Sequence, residues 1–261
     1  MKNQKTLWAL VLGGSKGLGL ATAHKLASQG YNLILVHRDR ALYLPEFLGE
    51  KHKMEALGVQ VHSFNKDAVR SIHRNEMVQK IKLLIGTSKI DVFVHSIAKG
   101  NLKPIFKPGS PELNKEDLLV TLNAMAISFY DWTQTLVSER VFSNQARIIA
   151  FTSEGSSKII PGYAAVANAK ASLETLMKNM AVSYAPLGLR INCIQAGVTD
   201  TESFRKIPNN LEILEESKKR NPYNRLTTPQ NVADVVALLC MKEADWINGT
   251  IIKVDGGESL I

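Results

Sequence analysis

The sequence contains few cysteines, and this narrows the kinds of site it can form. Only two of its 261 residues are cysteines, and both, Cys193 and Cys240, lie inside apolar runs. Cysteines in such runs are typical of buried free thiols. We therefore expect neither a disulfide framework nor a metal site.

Long apolar runs are also absent. No stretch approaches the roughly 18–20 residues that a membrane-spanning helix needs. The first residues are basic and then apolar, as in a signal peptide, but the apolar run ends in glycines after about six residues. No small-residue cleavage site follows it. We interpret this run as a strand, and we expect a cytoplasmic protein with no membrane partner.

The charge is unbalanced, with a formal net charge of +8 and a sequence pI near 9.4. Such an excess favours nucleic acids, acidic membrane surfaces, or acidic small molecules and proteins. The basic residues are scattered, with only short clusters such as Lys218-Lys219-Arg220. No helix-turn-helix, RNP-type or zinc-finger spacing is present, so we expect no nucleic-acid partner.

The arrangement of apolar segments predicts an α/β protein. Short apolar strands alternate with longer amphipathic segments, which is typical of βαβ units and a parallel sheet. No repeat, low-complexity run or linker interrupts the pattern, so residues 1–261 are expected to form one Rossmann-type domain: a seven-stranded, doubly wound sheet with helices on both faces. Strands are predicted at residues 7–12, 32–36, 59–64, 91–95, 147–152, 190–194 and 250–254. Helices are predicted at residues 17–29, 43–57, 71–85, 114–139, 163–185 and 230–241.

One long polar segment, residues 198–228, separates the sixth predicted strand from the last predicted helix. Ligands of parallel sheets bind beyond the carboxyl ends of the strands, where such excursions lie. We expect residues 198–225 to form a lid over a substrate, and we call this segment the predicted lid.

A glycine-rich turn, residues 13–19, follows the first predicted strand and opens the first predicted helix. Glycine permits a tight turn and a close approach to phosphate, and the helix N-terminus supplies oriented N–H donors. Strand, turn and helix come in the order that a dinucleotide site requires, although a purely structural turn is the alternative. The turn residues expected at the cofactor are Gly13, Ser15, Lys16, Gly17, Leu18 and Gly19.

The end of the second strand indicates which nicotinamide cofactor is bound. Cofactors without a 2′-phosphate usually meet an acidic residue there, whereas this chain has His37 and then Arg38. Together with Lys16, these residues suit a 2′-phosphate. Asp39 weakens the argument slightly, and we expect NADPH in preference to NADH.

Tyr163 and Lys170 lie on one predicted helix, seven positions apart and hence on the same face. A phenol can donate a proton to a developing oxyanion, and a nearby ammonium lowers its pKa and can hold the cofactor ribose. The alternative is a tyrosine and a lysine that merely share a helix face. Ser153 at the end of the fifth strand and Asn123 within a helix are further catalytic candidates, although each type is commonly just a satisfied polar residue.

These residues resemble those of the short-chain dehydrogenase/reductases. The shared features are the glycine turn, the lysine after the fifth strand and Val-Asp-Gly-Gly at residues 254–257. Within that family, the chain looks like the bacterial NADPH-dependent enoyl-acyl carrier protein reductases. Their Tyr-x6-Lys helix matches the stretch from Tyr163 to Lys170, and residues 95–98 and 250–259 also resemble theirs. The resemblance covers essentially the whole chain.

The resemblance implies specific roles. Tyr163 would be the proton donor or oxyanion stabiliser, Lys170 would bind the ribose, and Asp67 would meet the adenine. Ile97 would lie on one side of the nicotinamide and residues 196–201 on the other. The further cofactor positions are Ala68, Ser96, Ala196, Gly197, Val198, Thr199 and Thr201, and the further substrate positions are Ala98 and Phe204.

Two positions depart from simple family patterns. Ser153 falls where many relatives keep a catalytic serine and some enoyl reductases keep a tyrosine. Leu12 replaces the threonine that usually precedes the glycine turn, and we do not expect this change to abolish binding.

The tyrosine spacing bears on the substrate. Ketoreductases of this family use Tyr-x3-Lys, and that tyrosine position is Val166 here. Tyr163 is therefore shifted by roughly 4.5 Å along the helix. Reduction of an enoyl thioester adds hydride to the β-carbon while charge develops on an oxygen two carbons away, so a displaced acid fits conjugate reduction better. A ketoreductase or alcohol dehydrogenase, and a non-enzymatic dinucleotide sensor, are the alternatives.

The predicted lid would then cover an acyl chain. Its apolar residues would line the slot: Val198, Phe204, Ile207, Leu211, Ile213 and Leu214. Its basic residues would face an acidic acyl carrier protein, although a solvated basic helix is the alternative: Arg205, Lys206, Lys218, Lys219 and Arg220. The family resemblance implies a homotetramer and a place in fatty-acid biosynthesis.

Overall fold

The computed structural model describes residues 6–261 and contains one seven-stranded parallel sheet in the order β3-β2-β1-β4-β5-β6-β7. The strands are β1 Trp8–Leu12, β2 Asn32–His37, β3 Val61–Asn65, β4 Ile90–His95, β5 Phe142–Ser153, β6 Arg190–Ala196 and β7 Ile251–Val254. The helices are α1 Gly17–Ser28, α2 Leu44–Glu55, α3 Ser71–Ile85, α4 Lys115–Leu122, α5 Ser128–Ser138, α6 Ala164–Ser183, α7 Asn210–Arg220 and α8 Pro229–Leu239. Residues 1–5 of the expected domain lie outside the described residues.

The central strands are buried on both faces, which explains their continuous apolar sequences. Along β1, Trp8, Leu10 and Leu12 face one core, and Ala9 and Val11 face the other. The first core contains residues of α3, α5 and α6, and the second contains residues of α1, α2 and α8. The predicted doubly wound Rossmann-type sheet is therefore confirmed.

The strand order places the functional end of the sheet. β1 pairs in parallel with both β2 and β4. The connection after β1 leads to one side of the sheet, toward β2 and β3, and the connection after β4 leads to the other, toward β5, β6 and β7. In open α/β sheets, ligands bind in the crevice at this switch point, beyond the carboxyl ends of the strands. The glycine turn after Leu12 and the turn after His95 lie at that crevice.

The predicted helix at 114–139 is interrupted. α4 and α5 are joined by a π-helical turn, Asn123–Ile127, in which the N–H of Ser128 reaches the carbonyl of Asn123, five residues back. A π-turn inserts an extra residue without breaking the apolar stripe, so periodicity alone does not reveal it.

Two other helix predictions needed changes. Tyr163 is the N-cap of α6 and lies before its first helical residue. The predicted lid contains a helix of its own, α7, which its polar composition did not indicate.

The longest helix, α6, has 20 residues, and within residues 6–261 no helix combines the length and apolarity needed to span a bilayer.

A buried histidine closes the carboxyl end of β4. His95 is 2% exposed, and its Nε2 lies 2.7 Å from the hydroxyl oxygen of Ser128. Because that hydroxyl donates to the carbonyl of Ala124 at 2.8 Å, its oxygen accepts from an Nε2–H. Burial, reinforced by the charge of Lys170, lowers the pKa of His95 to about 3.

We expect this histidine to make stability depend on pH. The unfolded chain binds a proton at His95 below about pH 6.5, whereas the folded chain binds it only near about pH 3. The free energy of unfolding should therefore fall as the pH falls through this window, by at most about 1.4 kcal/mol per pH unit from this group. Urea unfolding at several pH values, with His95→Gln as the non-titrating control, measures the difference. Identical slopes for the two proteins would contradict the expectation.

Candidate active site

The glycine turn is packed tightly against the turn that follows β4. Gly13 has φ of +76°, and a Cβ on it would lie 2.3 Å from the carbonyl oxygen of Ser96. A Cβ on Gly19 would lie 2.1 Å from the carbonyl oxygen of Gly13. The N–H groups of Gly13 and Gly14 both point at the carbonyl of Val36, at 2.8 and 3.3 Å. Only glycine fits at these approaches, so the turn is held in one shape.

The N-terminus of α1 opens at this turn and suits an anion. Its N-cap, Lys16, makes no side-chain cap, and the first turn contains no acidic residue. The leading N–H groups of a helix lack partners within the helix and carry partial positive charge. Gly17, Leu18 and Gly19 therefore form a helix end that suits an anion, and phosphate binding there stays a prediction.

Lys16 is bound to the predicted lid. Its ammonium lies 2.5 Å from a carboxylate oxygen of Glu202 and 3.9 Å from the centre of the Tyr43 ring. The hydrogen bond to Glu202 raises the pKa of Lys16. Thr201 also approaches the turn, at 3.4 Å from the Cβ position of Gly17. The segment that follows β6 thus touches the glycine turn directly.

At the end of β2, the Arg38 side chain is exposed to solvent and the His37 side chain is buried. The side chain of Arg38 is 59% exposed and donates to Asp67 at 3.0 Å. His37 faces inward, with its ring 4.2 Å from that of Phe47 and its Nδ1 2.9 Å from a carboxylate oxygen of Asp39. Burial lowers the pKa of His37, with Asp39 opposing the shift.

The expectation that the His37 side chain meets a 2′-phosphate is therefore wrong. His37 belongs to the same face of β2 as Leu33 and Leu35, which is covered by α2. Only Arg38 and Lys16 of the predicted basic set remain accessible at this corner.

The turn after β4 contributes backbone to the crevice. Ser96 donates its N–H to the carbonyl of Leu12 at 2.9 Å, and its hydroxyl oxygen would be 3.0 Å from a Cβ on Gly19. Ile97 packs against the core, whereas Ala98 is exposed. Ala68 is buried, and its carbonyl accepts a hydrogen bond from the Trp132 indole.

Three predicted catalytic residues meet at the end of β5. The hydroxyls of Ser153 and Tyr163 lie 3.5 Å apart, and the buried ammonium of Lys170 donates to the carbonyl of Phe151 at 2.7 Å. The Tyr163 ring lies against Gly155, where a Cβ would be 2.5 Å from the ring. The helix α6 and the turn after β5 thus bring two hydroxyls and an ammonium to one edge of the sheet.

Burial acts in opposite directions on the two titratable groups. It raises the pKa of Tyr163, and the hydrogen bond to Ser153 opposes this. It lowers the pKa of Lys170 to about 8, against the opposing charge of Glu174. At neutral pH the phenol is protonated and the lysine is a cation, so one edge of the sheet carries a proton donor and a buried positive charge. The shift of the phenol comes from burial and Ser153 and not from Lys170.

An apolar wall stands beside the phenol. Val166 is 4% exposed and forms a small cluster with Met125 and Ala169, against which Leu102 and Tyr163 pack. Residue 166, where a Tyr-x3-Lys pair has its tyrosine, is therefore buried and has no hydrogen-bonding side chain.

Asn123 lies on a turn that packs against α6, and its catalytic role stays a prediction. It lies in the π-helical turn with an exposed side chain. Within residues 6–261, no side-chain hydrogen bond joins it to Ser153, Tyr163 or Lys170. The sequence placed it within a helix, and the local geometry of that helix decided which way it faces.

The loop after β6 approaches the same crevice. Gly197 donates to the carbonyl of Val254 at 3.0 Å, and Val198 donates to a carboxylate oxygen of Glu258 at 3.1 Å. Thr199 is buried, and its hydroxyl donates to the carbonyl of Gly197 at 2.9 Å. Ala196 ends β6 beside Ser153.

The charges of the predicted lid are partly neutralised within the chain. Arg205 forms a double hydrogen bond with Asp200, and Lys206 lies 3.4 Å from Glu202. Arg220 donates to Glu154 and Glu258 and is only 18% exposed. The expectation that Arg220 faces a partner is therefore wrong, while Lys218 and Lys219 are exposed.

Sequence reasoning missed Glu154, Glu202 and Glu258. Each is an isolated acid in a polar stretch, and no local pattern distinguishes it from a solvated residue. Glu258 adjoins the Val-Asp-Gly-Gly motif, which was the one available signal, but its burial at 1% exposure follows only from the fold.

Comparisons with known proteins agree with this geometry. The sequence profile of a family described as "Enoyl-(Acyl carrier protein) reductase" matches residues 13–259. The 1-cyclohexenylcarbonyl-CoA reductase of Streptomyces collinus is 27% identical over 255 residues, which cover 97% of this chain and 87% of that protein. The 3-oxoacyl-(acyl-carrier-protein) reductase of Aquifex aeolicus is 26% identical over 253 residues, covering 95% of this chain and 96% of that one.

A solved structure has the same fold. The enoyl-(acyl-carrier-protein) reductase (NADH) of Aquifex aeolicus superposes with a TM-score of 0.84 at 21% identity, and the match covers 98% of each chain. At this identity the similarity concerns the fold alone.

The lowered pKa of Lys170 predicts how dinucleotide affinity depends on pH. Below about pH 8 the group is an ammonium that can hold a ribose hydroxyl, and above it the positive charge is lost. NADPH affinity should therefore fall as the pH rises through about 8. Fluorescence titration with NADPH between about pH 7 and 9.5 measures this. Lys170→Met is the control, and a parallel fall in that variant would refute the assignment to Lys170.

Proposed function

We propose that this chain, which belongs to the short-chain dehydrogenase/reductase superfamily, reduces the trans-2 double bond of an enoyl thioester with NADPH. Its class as an oxidoreductase follows from that membership. The observation that supports an enoyl substrate is the position of the phenol: Tyr163 lies beside Ser153, and Val166 provides only an apolar surface.

The chemistry separates hydride delivery from charge development. NADPH supplies a hydride, which an enoyl thioester accepts at its β-carbon. Negative charge then develops on the thioester oxygen, and the protonated phenol of Tyr163 can stabilise it by a hydrogen bond or by donating a proton. Lys170, buried on the same helix, is an ammonium that can bind the cofactor ribose. In ketone reduction, the oxygen that needs the proton is bonded to the carbon that receives the hydride. In conjugate reduction it lies two carbons away, so an acid displaced along the helix is better placed for it.

The residues present fit a nicotinamide dinucleotide. The glycine turn has one backbone shape, since no Cβ fits at Gly13 or Gly19, and the N-terminus of α1 opens beside it. Arg38 and Lys16 supply positive charge for a 2′-phosphate. Both already contact carboxylates, Asp67 and Glu202, so a phosphate must replace or share these partners. We propose NADPH rather than NADH because no acidic side chain takes the accessible position at residue 38.

A 3-oxoacyl reductase is the second candidate. The 26% identical Aquifex relative carries that name, whereas the Streptomyces relative is named as a reductase of a cyclohexenylcarbonyl thioester. The buried Val166 favours the enoyl reading over the carbonyl one. A dinucleotide sensor without turnover would not require the phenol that Tyr163 places beside Ser153.

For the thioester carrier we propose acyl carrier protein, as part of cytoplasmic fatty-acid biosynthesis. The exposed ammonium groups of Lys218 and Lys219 on α7 are the charges available to an acidic carrier. We further propose a homotetramer. Strand β7 supports assembly, since it ends the sheet and pairs only with β6.

Activity on two thioesters tests the proposed reaction. We expect rapid NADPH oxidation with a crotonyl thioester and little with an acetoacetyl thioester. Tyr163→Phe should lower the crotonyl rate by roughly 100-fold or more, the usual contribution of a positioned acid, while NADPH affinity stays unchanged. Tyr130→Phe, at a half-buried tyrosine of α5, is the matched control. Turnover of acetoacetyl alone would refute the enoyl proposal and support the ketoreductase.

Cofactor selection is tested at Arg38. Replacing it with leucine removes a charge-assisted hydrogen bond to the 2′-phosphate, so we expect NADPH affinity to fall roughly 10- to 100-fold. NADH affinity should change by less than about twofold, because that cofactor has no phosphate there. Arg40→Leu is the control at the neighbouring exposed arginine. Equal losses for NADPH and NADH would contradict a 2′-phosphate contact.

A further inference from the structure

A partly buried ion-pair network, which the proposed reaction does not use, joins several segments around the candidate site. Arg220, the last residue of α7, donates to both carboxylate oxygens of Glu154, at 3.0 and 2.9 Å. It also donates to Oε1 of Glu258 at 2.8 Å. Glu154 directly follows Ser153, and Glu258 opens the final turn of the chain. The network therefore ties the lid helix to both the β5 end and the C-terminal turn.

Glu258 uses its two oxygens for two different segments. Its Oε1 accepts from Arg220, and its Oε2 accepts the backbone N–H of Val198 at 3.1 Å. Val198 lies in the loop after β6, at a position proposed to flank the nicotinamide. One carboxylate thus contacts the cofactor loop with one oxygen and the lid helix with the other.

Gly197 of this loop packs so closely against its neighbours that no side chain would fit there. A Cβ on Gly197 would lie 2.9 Å from Glu258 Oε2 and 2.3 Å from the hydroxyl oxygen of Thr227. The side chain of Glu258 is only 2% exposed. The loop therefore lies in close contact with Glu258, whose Oε2 accepts the Val198 N–H.

A buried ion-pair network of this kind contributes more to the orientation of the segments it joins than to the free energy of unfolding. A buried ion pair regains little more than the cost of desolvating its charges, and well-packed apolar residues often stabilise as much. What charged partners add is direction, because a guanidinium binds carboxylates only in fixed planar arrangements. Arg220 makes three such bonds, so the end of α7 is fixed relative to Ser153 and Val198.

We propose that Glu258 is a positioning residue that holds the Val198 amide beside the nicotinamide through Oε2 and holds the lid helix over the substrate through Arg220. The substrate half of this inference rests on the proposed function, and the cofactor half requires only that the crevice binds a nicotinamide dinucleotide.

Two substitutions at Glu258 separate the two contacts. Within residues 6–261 the Val198 N–H has Glu258 as its acceptor. Glu258→Gln keeps an oxygen for this N–H but loses the charge that attracts Arg220. We expect NADPH affinity within about twofold of wild type and a KM for the enoyl thioester raised roughly 5- to 10-fold. Glu258→Met removes both contacts, so NADPH affinity should also fall by about 10-fold.

Three further proteins complete the experiment. Arg220→Met should raise the thioester KM as Glu258→Gln does, with unchanged NADPH affinity. This variant leaves the buried carboxylate of Glu258 without its cation, whereas Glu154 keeps Lys158 at 3.4 Å. The double variant Arg220→Met/Glu258→Gln therefore tests the same point with less uncompensated charge. Glu212→Gln, at an exposed acid of the same helix, is the matched control and should match wild type. Thermal unfolding of each variant reports whether it is folded.

The outcomes are distinguishable. If Glu258→Met lowers the melting temperature but leaves the NADPH affinity and the thioester KM unchanged, Glu258 is merely structural and the proposal fails. If Glu258→Gln loses as much NADPH affinity as Glu258→Met, the division between the two oxygens is wrong. A wild-type protein that binds NADPH without reducing the thioester refutes the proposed function, while the NADPH titrations still decide the Val198 contact.

Discussion

The carbonyl oxygen of Ser96 approaches Gly13 so closely that no side chain fits between them, and the functional end of the molecule is arranged around this approach. It joins the turns after β1 and β4, the two neighbouring parallel strands at which the strand order of the sheet reverses. The crevice there is bounded by backbone, so its shape does not depend on flexible side chains. A second close approach, between Gly19 and the carbonyl oxygen of Gly13, sets the N-terminus of α1 against the same turn. A phosphate site and a substrate site can therefore share one rigid edge.

Charge at this edge is paired rather than free. Lys16 contacts Glu202, Arg38 contacts Asp67, and Arg220 contacts Glu154 and Glu258. The net charge of +8 is therefore a poor guide to what the crevice attracts. Lys170 differs from these residues, because burial controls its pKa and its ammonium donates to a backbone carbonyl. Its ammonium is therefore held by backbone and not by a carboxylate.

The sheet could be predicted because its evidence is local and repeated. Each central strand is apolar throughout, as in β4 from Ile90 to His95, and each is separated from the next by an amphipathic segment. Two exceptions had no such evidence. The π-turn Asn123–Ile127 preserves the apolar stripe and turns Asn123 outward, and α7 is a polar helix that is fixed by Arg220. Sequence periodicity reports burial, and neither feature changes the pattern of burial.

The sequence by itself determined the doubly wound sheet, the glycine turn and the shared end of Ser153, Tyr163 and Lys170, because a parallel sheet brings the carboxyl ends of its strands together. Tertiary structure decided which side chains face the crevice. It buried His37 against Phe47 and enclosed Arg220 between two carboxylates. It also placed Glu258, 60 residues away in sequence, on the amide of Val198. A residue's type and local spacing give its possible chemistry, whereas its partners depend on packing between segments that are distant in the chain.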